Sequence, residues 1–150
     1  MPKARLIFEQ ILKMRYYRNY AATSGAVHNI SKHEDAVRDV LVFHGLSEVT
    51  QKVTRKQRDL WLSNPSKCSL PDNSFVFQPC GHNDSPDFIM KVDGKSYFIE
   101  CKSVKGSSKA PMYNSGIPKD EYIYVFTAER YDKTTVYKPV WNSTLYTPDD

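Results

Sequence analysis

The first part of the chain carries apolar residues at helical spacing. In residues 4–20, apolar residues recur three and four positions apart with basic residues between them, and this spacing predicts an amphipathic helix. Ser31 with Glu34 three places on matches a capping box, and Gly45 followed by Leu46 matches a helix stop. A second helix is therefore predicted between these signals. Its predicted buried stripe consists of Val37, Val40, Leu41 and His44.

The rest of the chain alternates between short β-branched or aromatic runs and turn residues. A basic third helix is predicted at residues 54–62, ending before Pro65. Strands are predicted at residues 75–77, 88–92, 97–101, 122–127 and 134–138. Residues 103–120 are rich in Lys, Ser, Gly and Pro, and their length is typical of a functional loop. This order predicts an α/β domain with a central mixed sheet and the two N-terminal helices packed on it.

One predicted hairpin has a register that the sequence defines. Asp93-Gly94 lies between two apolar runs, and this dipeptide is the strongest short-range hairpin signal because both turn residues need positive φ. Counting outward from the turn pairs Phe88 with Ile99 and sets Asp87 directly opposite Glu100. The position is a non-hydrogen-bonded one, so the two β-carbons are expected roughly 4.5–5.5 Å apart. The hairpin is expected in the middle of the sheet.

Two carboxylates that close together repel each other unless a cation lies between them or one takes up a proton. Oxygen ligands from Asp87 and Glu100, together with water, suit Mg²⁺. Strand periodicity places Lys102 on the same face as Glu100. A metal held there can polarise a phosphate and activate a bound water, and a charged Lys102 can orient that water or stabilise the transition state. The constellation therefore suits phosphodiester hydrolysis.

Composition narrows the class of protein without deciding its function. The 150 residues suffice for one domain, residues 1–150, and the lack of a closing element after Thr147 leaves room for a longer parent chain. A formal charge of +4 is compatible with an anionic partner. An odd number of cysteines, 3, and the absence of a long apolar run predict a cytoplasmic protein with no membrane partner. A zinc site is disfavoured, since Cys68, Cys80, His82 and Cys101 lack paired short spacings.

Pro86-Asp87, a spacer, and Glu100-Cys101-Lys102 together resemble the signature of the PD-(D/E)XK nuclease superfamily. Residues 78–81, 85–88 and 114–126 are similar to type II restriction endonucleases of this fold, and the likeness spans residues 31–127. The resemblance implies a restriction-endonuclease-like core. It also implies that Asp87, Glu100 and the Cys101 carbonyl hold the metal, that Lys102 assists attack, and that an acid on a preceding helix joins the site. Glu34 stands where that acid is expected.

The resemblance further implies a Mg²⁺-dependent endonuclease that acts on double-stranded DNA in a restriction system and leaves 5′-phosphate and 3′-hydroxyl ends. A subunit with one site cuts one strand, so palindromic cleavage calls for a homodimer. Two alternatives stay open. A Holliday-junction resolvase is similar in its order of helical Glu, Pro-Asp-Phe and Glu-X-Lys. A non-catalytic DNA-binding module is the other, although the intact acid, acid and lysine set argues against it.

Basic and polar residues in two segments are candidate DNA contacts. One group precedes the apolar end of the third helix and the other lies in the loop after the catalytic strand. Simpler roles compete with these assignments: a solvated helix face for the basic helix, a capping contact for Glu34, and a surface ion pair for Glu100 with Lys102. The candidate DNA contacts are Arg55, Lys56, Arg58, Lys105, Lys109 and Asn114.

Overall fold

The helices and strands follow the order that the hydrophobic pattern predicts. The structure is a computed structural model that describes residues 2–20, 22–23, 30–106 and 122–138. Its helices are α1 (Lys3–Leu12), α2 (His33–Phe43) and α3 (Arg55–Ser63). Its strands are β1 (Ser47–Glu48), β2 (Ser74–Phe77), β3 (Phe88–Val92), β4 (Lys95–Val104), β5 (Ile123–Ala128) and β6 (Lys133–Tyr137). Short 3₁₀ turns occur at Tyr17–Asn19 and Pro65–Lys67.

The strands form one six-stranded sheet in the order β1-β2-β3-β4-β5-β6. β1 with β2 and β4 with β5 are parallel pairs, whereas the other neighbours are antiparallel. The prediction of a mixed α/β fold with the hairpin in the middle of the sheet is confirmed. The very short strand β1 was not predicted, because two exposed polar residues carry no periodicity.

The predicted hairpin register is confirmed. Asp93 and Gly94 both have positive φ, 53° and 74°, as a tight turn of this kind requires. β3 and β4 pair Phe88 with Ile99, and these residues are the direct neighbours of Asp87 and Glu100 in the sequence. A slip of one position would have turned every side chain of β4 to the opposite face. The turn therefore determines which residues of β4 can meet Asp87.

In the described ranges, the sheet lies between the two larger clusters of buried side chains. Residues of α1 and α2 pack with Phe88, Ile99 and Cys101 on one face, as predicted for the N-terminal helices. Trp61 of α3 packs with Phe98 and other residues of the second cluster. Because successive strand residues point to opposite faces, α3 covers the face that Phe98, Glu100 and Lys102 share. None of the helices in the described ranges has the length and apolarity needed to cross a membrane.

The first helix covers part of the pattern in residues 4–20, whose end the periodicity leaves open. It ends at Leu12, and the chain becomes extended at Tyr16. Asp132, in the turn between β5 and β6, accepts hydrogen bonds from the Tyr16 N–H at 3.0 Å and from the guanidinium of Arg15. These long-range contacts compete with the local helical ones, so periodicity in residues 13–20 did not predict the end of the helix.

The second helix starts in a different way from the prediction, and the predicted capping box of Ser31 with Glu34 is wrong. Lys32 is the N-cap, so Asp35 rather than Glu34 occupies the third helical position. The Ser31 hydroxyl donates to the Asp35 carboxylate at 3.0 Å. The Glu34 carboxylate is consequently not used as a cap. The predicted stop at Gly45 is confirmed, with φ of 84° at Gly45 and a hydrogen bond from the Leu46 N–H to the Leu41 carbonyl.

Candidate active site

Asp87 and Glu100 meet just beyond the last paired residues of β3 and β4. The Asp87 N–H donates to Oε1 of Glu100 at 3.0 Å, and Oδ2 of Asp87 accepts from the Cys101 N–H at 2.7 Å. Each side chain thus accepts from a backbone N–H of the opposite arm, Glu100 from Asp87 just before β3 and Asp87 from Cys101 within β4. The shared face that the hairpin register predicts is confirmed by these contacts.

Lys102 joins the two acids on the same face of β4. Its Nζ lies 3.8 Å from Oε2 of Glu100, and the two side chains are only 14% and 16% exposed. The pair is therefore much less solvated than a surface ion pair, which argues against the simpler role considered for it. The Cys101 side chain points the other way, into the cluster beneath α1 and α2.

The backbone of Cys101 can supply an additional oxygen at this point. Within a strand the N–H and C=O of one residue point to the same side. Because the Cys101 N–H is directed at Asp87, its carbonyl lies toward that side of β4 as well. The oxygen atoms that meet here belong to two carboxylates and a backbone carbonyl, and Mg²⁺ prefers oxygen ligands of these kinds.

The environment of the acids disfavours uncompensated negative charge. Burial, followed by the charge of Glu100, raises the pKa of Asp87 to about 7, although the Cys101 N–H and Lys102 act in the opposite direction. Burial and the charge of Asp87 also raise the pKa of Glu34. Both shifts mean that the charged carboxylates are costly in this environment without a positive partner. Within the described ranges, no cluster of three or more His, Cys, Asp or Glu side chains forms a metal site by itself, so water and the Cys101 carbonyl would have to complete the coordination.

Comparison of the chain with models of known protein families, with curated proteins and with solved structures gives no match. The functional assignment therefore depends on the geometry and chemistry of the site itself.

A cleft of about 440 Å³ opens over the acids. Its lining is mostly polar, and it includes one residue from α2, one from α3, the loop between β2 and β3, and three consecutive residues of β4. Glu34 is the contribution of α2, which brings the predicted third acid to the same cleft as Asp87. The lining residues are Glu34, Arg58, Gln78, His82, Asn83, Asp84, Ser85, Asp87, Glu100, Cys101 and Lys102.

The predicted DNA contacts are found in different environments. Arg58 lies in the cleft wall and is buried, whereas Arg55 and Lys56, on the same helix, are exposed. A solvated helix face therefore describes two of these three basic residues and is wrong for Arg58. Lys105 is exposed after β4 and does not line the cleft. Lys109 and Asn114 lie outside the described residues.

The loop before β3 contributes two residues of the segments 78–81 and 85–88, for which no role in the site was predicted. Gln78 has a φ of 50°, a region that favours glycine, and its N–H donates to the Asp87 carbonyl at 2.7 Å. The Ser85 hydroxyl lies 2.9 Å from the hydroxyl of buried Tyr122 on the other side of the hairpin. These contacts hold the chain on both sides of Asp87. No periodicity identifies such loop residues, because their partners are distant in sequence.

Proposed function

We propose that the protein is a Mg²⁺-dependent endodeoxyribonuclease with a site of the PD-(D/E)XK type on a restriction-endonuclease-like core. One observation carries the proposal. The hydrogen bonds at the end of the β3–β4 hairpin bring Asp87 and Glu100 together, with Lys102 beside them, in an open polar cleft. A merely structural ion pair does not require a second carboxylate whose pKa is raised by burial at the same point.

In the proposed reaction, Asp87, Glu100 and the Cys101 carbonyl would hold the metal. A bound Mg²⁺ supplies Lewis-acid polarisation of the phosphate and lowers the pKa of a bound water. Lys102 donates from its ammonium group, either to the attacking water or to the charge that develops on the phosphate. Glu34, on the wall formed by α2, orients water by accepting a hydrogen bond. The loop of Gln78 and Ser85 keeps the Asp87 backbone in place.

A restriction enzyme is the form of this activity that we propose, acting on double-stranded DNA as a homodimer in the cytoplasm. Support comes from the resemblance of residues 31–127 to type II restriction endonucleases. The resolvase alternative has the same acids and lysine, so the substrate distinguishes the two activities. A binding module that lacks catalysis would need no buried lysine beside paired acids.

The test uses two DNA substrates with the purified protein: long linear duplex DNA and a synthetic four-way junction. Each is incubated with Mg²⁺ and, separately, with EDTA. Discrete Mg²⁺-dependent bands from linear DNA, whose ends DNA ligase reseals directly, are the expected result. Cleavage of the junction alone would indicate a resolvase. Intact substrates in every reaction that contains Mg²⁺ would contradict the nuclease proposal.

A further inference from the structure

Arg58 has an environment that differs from that of the other basic residues of α3. Its side chain is only 9% exposed, compared with 78% for Arg55 one turn earlier. Its Nη1 donates to the Asp84 carboxylate at 3.1 Å and to the Ser85 carbonyl at 3.0 Å, and its Nε donates to Asp59 at 3.1 Å. Three of its five N–H groups can be accounted for by these contacts. The guanidinium plane is therefore fixed by the protein.

The remaining nitrogen, Nη2, makes no hydrogen bond to the described residues, while the side chain lines the cleft that contains Asp87, Glu100 and Lys102. Arginine stays protonated in proteins, so two charged N–H donors remain for a ligand. A guanidinium that is already fixed loses little conformational entropy when a phosphate binds. Its N–H groups are spaced so that they can donate to phosphate oxygens.

Arg58 belongs to a network of two guanidinium groups and two carboxylates on this wall. Asp84 is shared, because Arg55 also forms an ion pair with it. Asp59 contributes a second carboxylate, but its side chain is 64% exposed, so solvent screens its charge. Arg55 is 78% exposed, so its charge is screened as well, and the two guanidinium groups are balanced by the two carboxylates. An incoming anion would therefore be recognised by the two N–H groups of Nη2 rather than by an excess of positive charge on the wall.

We propose that Arg58 is a phosphate-binding residue whose Nη2 donates to a non-bridging oxygen of the DNA strand in the cleft. This assignment depends on the proposed function for the identity of the anion. In this arrangement Arg58 contacts a phosphate of the DNA directly, without the metal. The assignment also explains why a buried arginine, rather than an apolar residue, occupies the same face of α3 as Trp61.

A positioning role is the competing explanation, since Arg58 also holds Asp84 and Ser85 just before Asp87. The two roles differ in their salt dependence. Each phosphate contact that is lost lowers the slope of log K against log salt by about 0.9. A change in loop position alone would leave that slope unchanged. Asp84→Asn serves as the matched control, because it weakens the hold on the loop without removing the guanidinium.

The experiment measures binding of a labelled 30-base-pair duplex with Ca²⁺ in place of Mg²⁺, over a range of KCl concentrations, for wild type, Arg58→Met, Arg58→Lys and Asp84→Asn. We expect Arg58→Met to bind about tenfold more weakly and with a slope smaller by about 0.9, while Asp84→Asn keeps the wild-type slope. We expect Arg58→Lys to keep the slope but to cleave at least tenfold more slowly in Mg²⁺, because one nitrogen cannot serve both loop and phosphate. Thermal melting checks that each variant is folded.

The outcomes separate this inference from the proposed function. If wild type cleaves DNA while folded Arg58→Met keeps the wild-type slope, Arg58 does not bind phosphate and the nuclease proposal stands. If Arg58→Met does not fold, a wild-type cleavage rate and affinity in Arg58→Lys overturn the inference instead. Binding without cleavage, with the slope lowered in Arg58→Met, supports the phosphate contact and rejects catalysis. A wild-type protein that neither binds nor cleaves DNA rejects both proposals.

Discussion

The backbone N–H of Asp87 donates a 3.0 Å hydrogen bond to the carboxylate of Glu100. The Asp87 carboxylate in turn accepts from the next residue of β4, Cys101, at 2.7 Å. Each carboxylate is therefore held by a backbone N–H of the other arm of the hairpin. These hydrogen bonds orient the two side chains, which is the kind of support that a metal site requires.

Lys102→Ala should lower the single-turnover rate of DNA cleavage by about 10²–10³-fold, because it removes the charged donor that lies beside Glu100. Lys95→Ala is the matched control, since Lys95 is exposed at the start of the same strand and does not line the cleft. Rates on plasmid DNA and melting curves would be compared for both variants. Equal rates for the two variants would reject the role of Lys102.

Asp87→Asn should change how stability varies with pH in the absence of divalent ions. The pKa of Asp87 is raised in the folded state from its ordinary value of 3.8 to about 7, so its protonated form is favoured by folding. The resulting stability is fully present below about pH 4 and is lost as the pH rises through 7. Each pKa unit corresponds to about 1.4 kcal/mol, so the loss is a few kcal/mol at most.

The variant does not titrate at this position, so it should gain stability relative to wild type between pH 5 and pH 8. Urea unfolding in EDTA at both pH values provides the measurement. A difference in unfolding free energy that stays constant with pH would contradict the burial of an ionisable Asp87.

Mg²⁺ should stabilise the wild-type protein and not the ligand variants. A ligand that binds only the folded state adds about 2.7 kcal/mol when its concentration is 100 times Kd. The increase in Tm with Mg²⁺ should therefore be lost in Asp87→Asn and Glu100→Gln. Differential scanning calorimetry at constant ionic strength, with Na⁺ replacing Mg²⁺, separates this effect from screening. Equal Tm increases in all three proteins would exclude a metal at these acids.

Glu34→Gln and Asp35→Asn should have opposite effects, although the residues are neighbours. Glu34 lines the cleft, so its substitution should reduce cleavage by about 10–100-fold with little change in stability. Asp35 interacts with Ser31 at the start of α2, so its substitution should cost about 0.5–1 kcal/mol and leave cleavage unchanged. Chemical denaturation and single-turnover cleavage of both variants test this. Loss of activity in Asp35→Asn alone would reverse the assignment.

Local signals predicted the part of the site that the hairpin controls. The Asp93-Gly94 turn defines the register, and the alternation of side chains then places Asp87, Glu100 and Lys102 on one face. The strand positions were predicted to within a few residues for the same reason, since β-branched and aromatic runs are bounded by turn residues. These features depend on residues that are close together in the chain, so a single sequence is enough to predict them.

Contacts between distant segments could not be predicted in this way. The end of α1 coincides with hydrogen bonds to Asp132, which is more than a hundred residues away in the sequence. The burial of Arg58 could have been predicted. Arg58 lies one helical turn before Trp61, so both side chains are on the buried face of α3. Its partner Asp84 carries no signal in the sequence, since a loop brings the two together.

β4 contributes to both the core and the cleft with consecutive side chains: Ile99 and Cys101 pack beneath α1 and α2, while Glu100 and Lys102 line the cleft. A saturation mutagenesis scan along this strand should therefore alternate in phenotype from one codon to the next. Substitutions at 99 and 101 should lower the yield of folded protein, and those at 100 and 102 should leave normal amounts of an inactive one. Protein abundance and activity, scored in the same library, would separate foldability from chemistry within four adjacent positions.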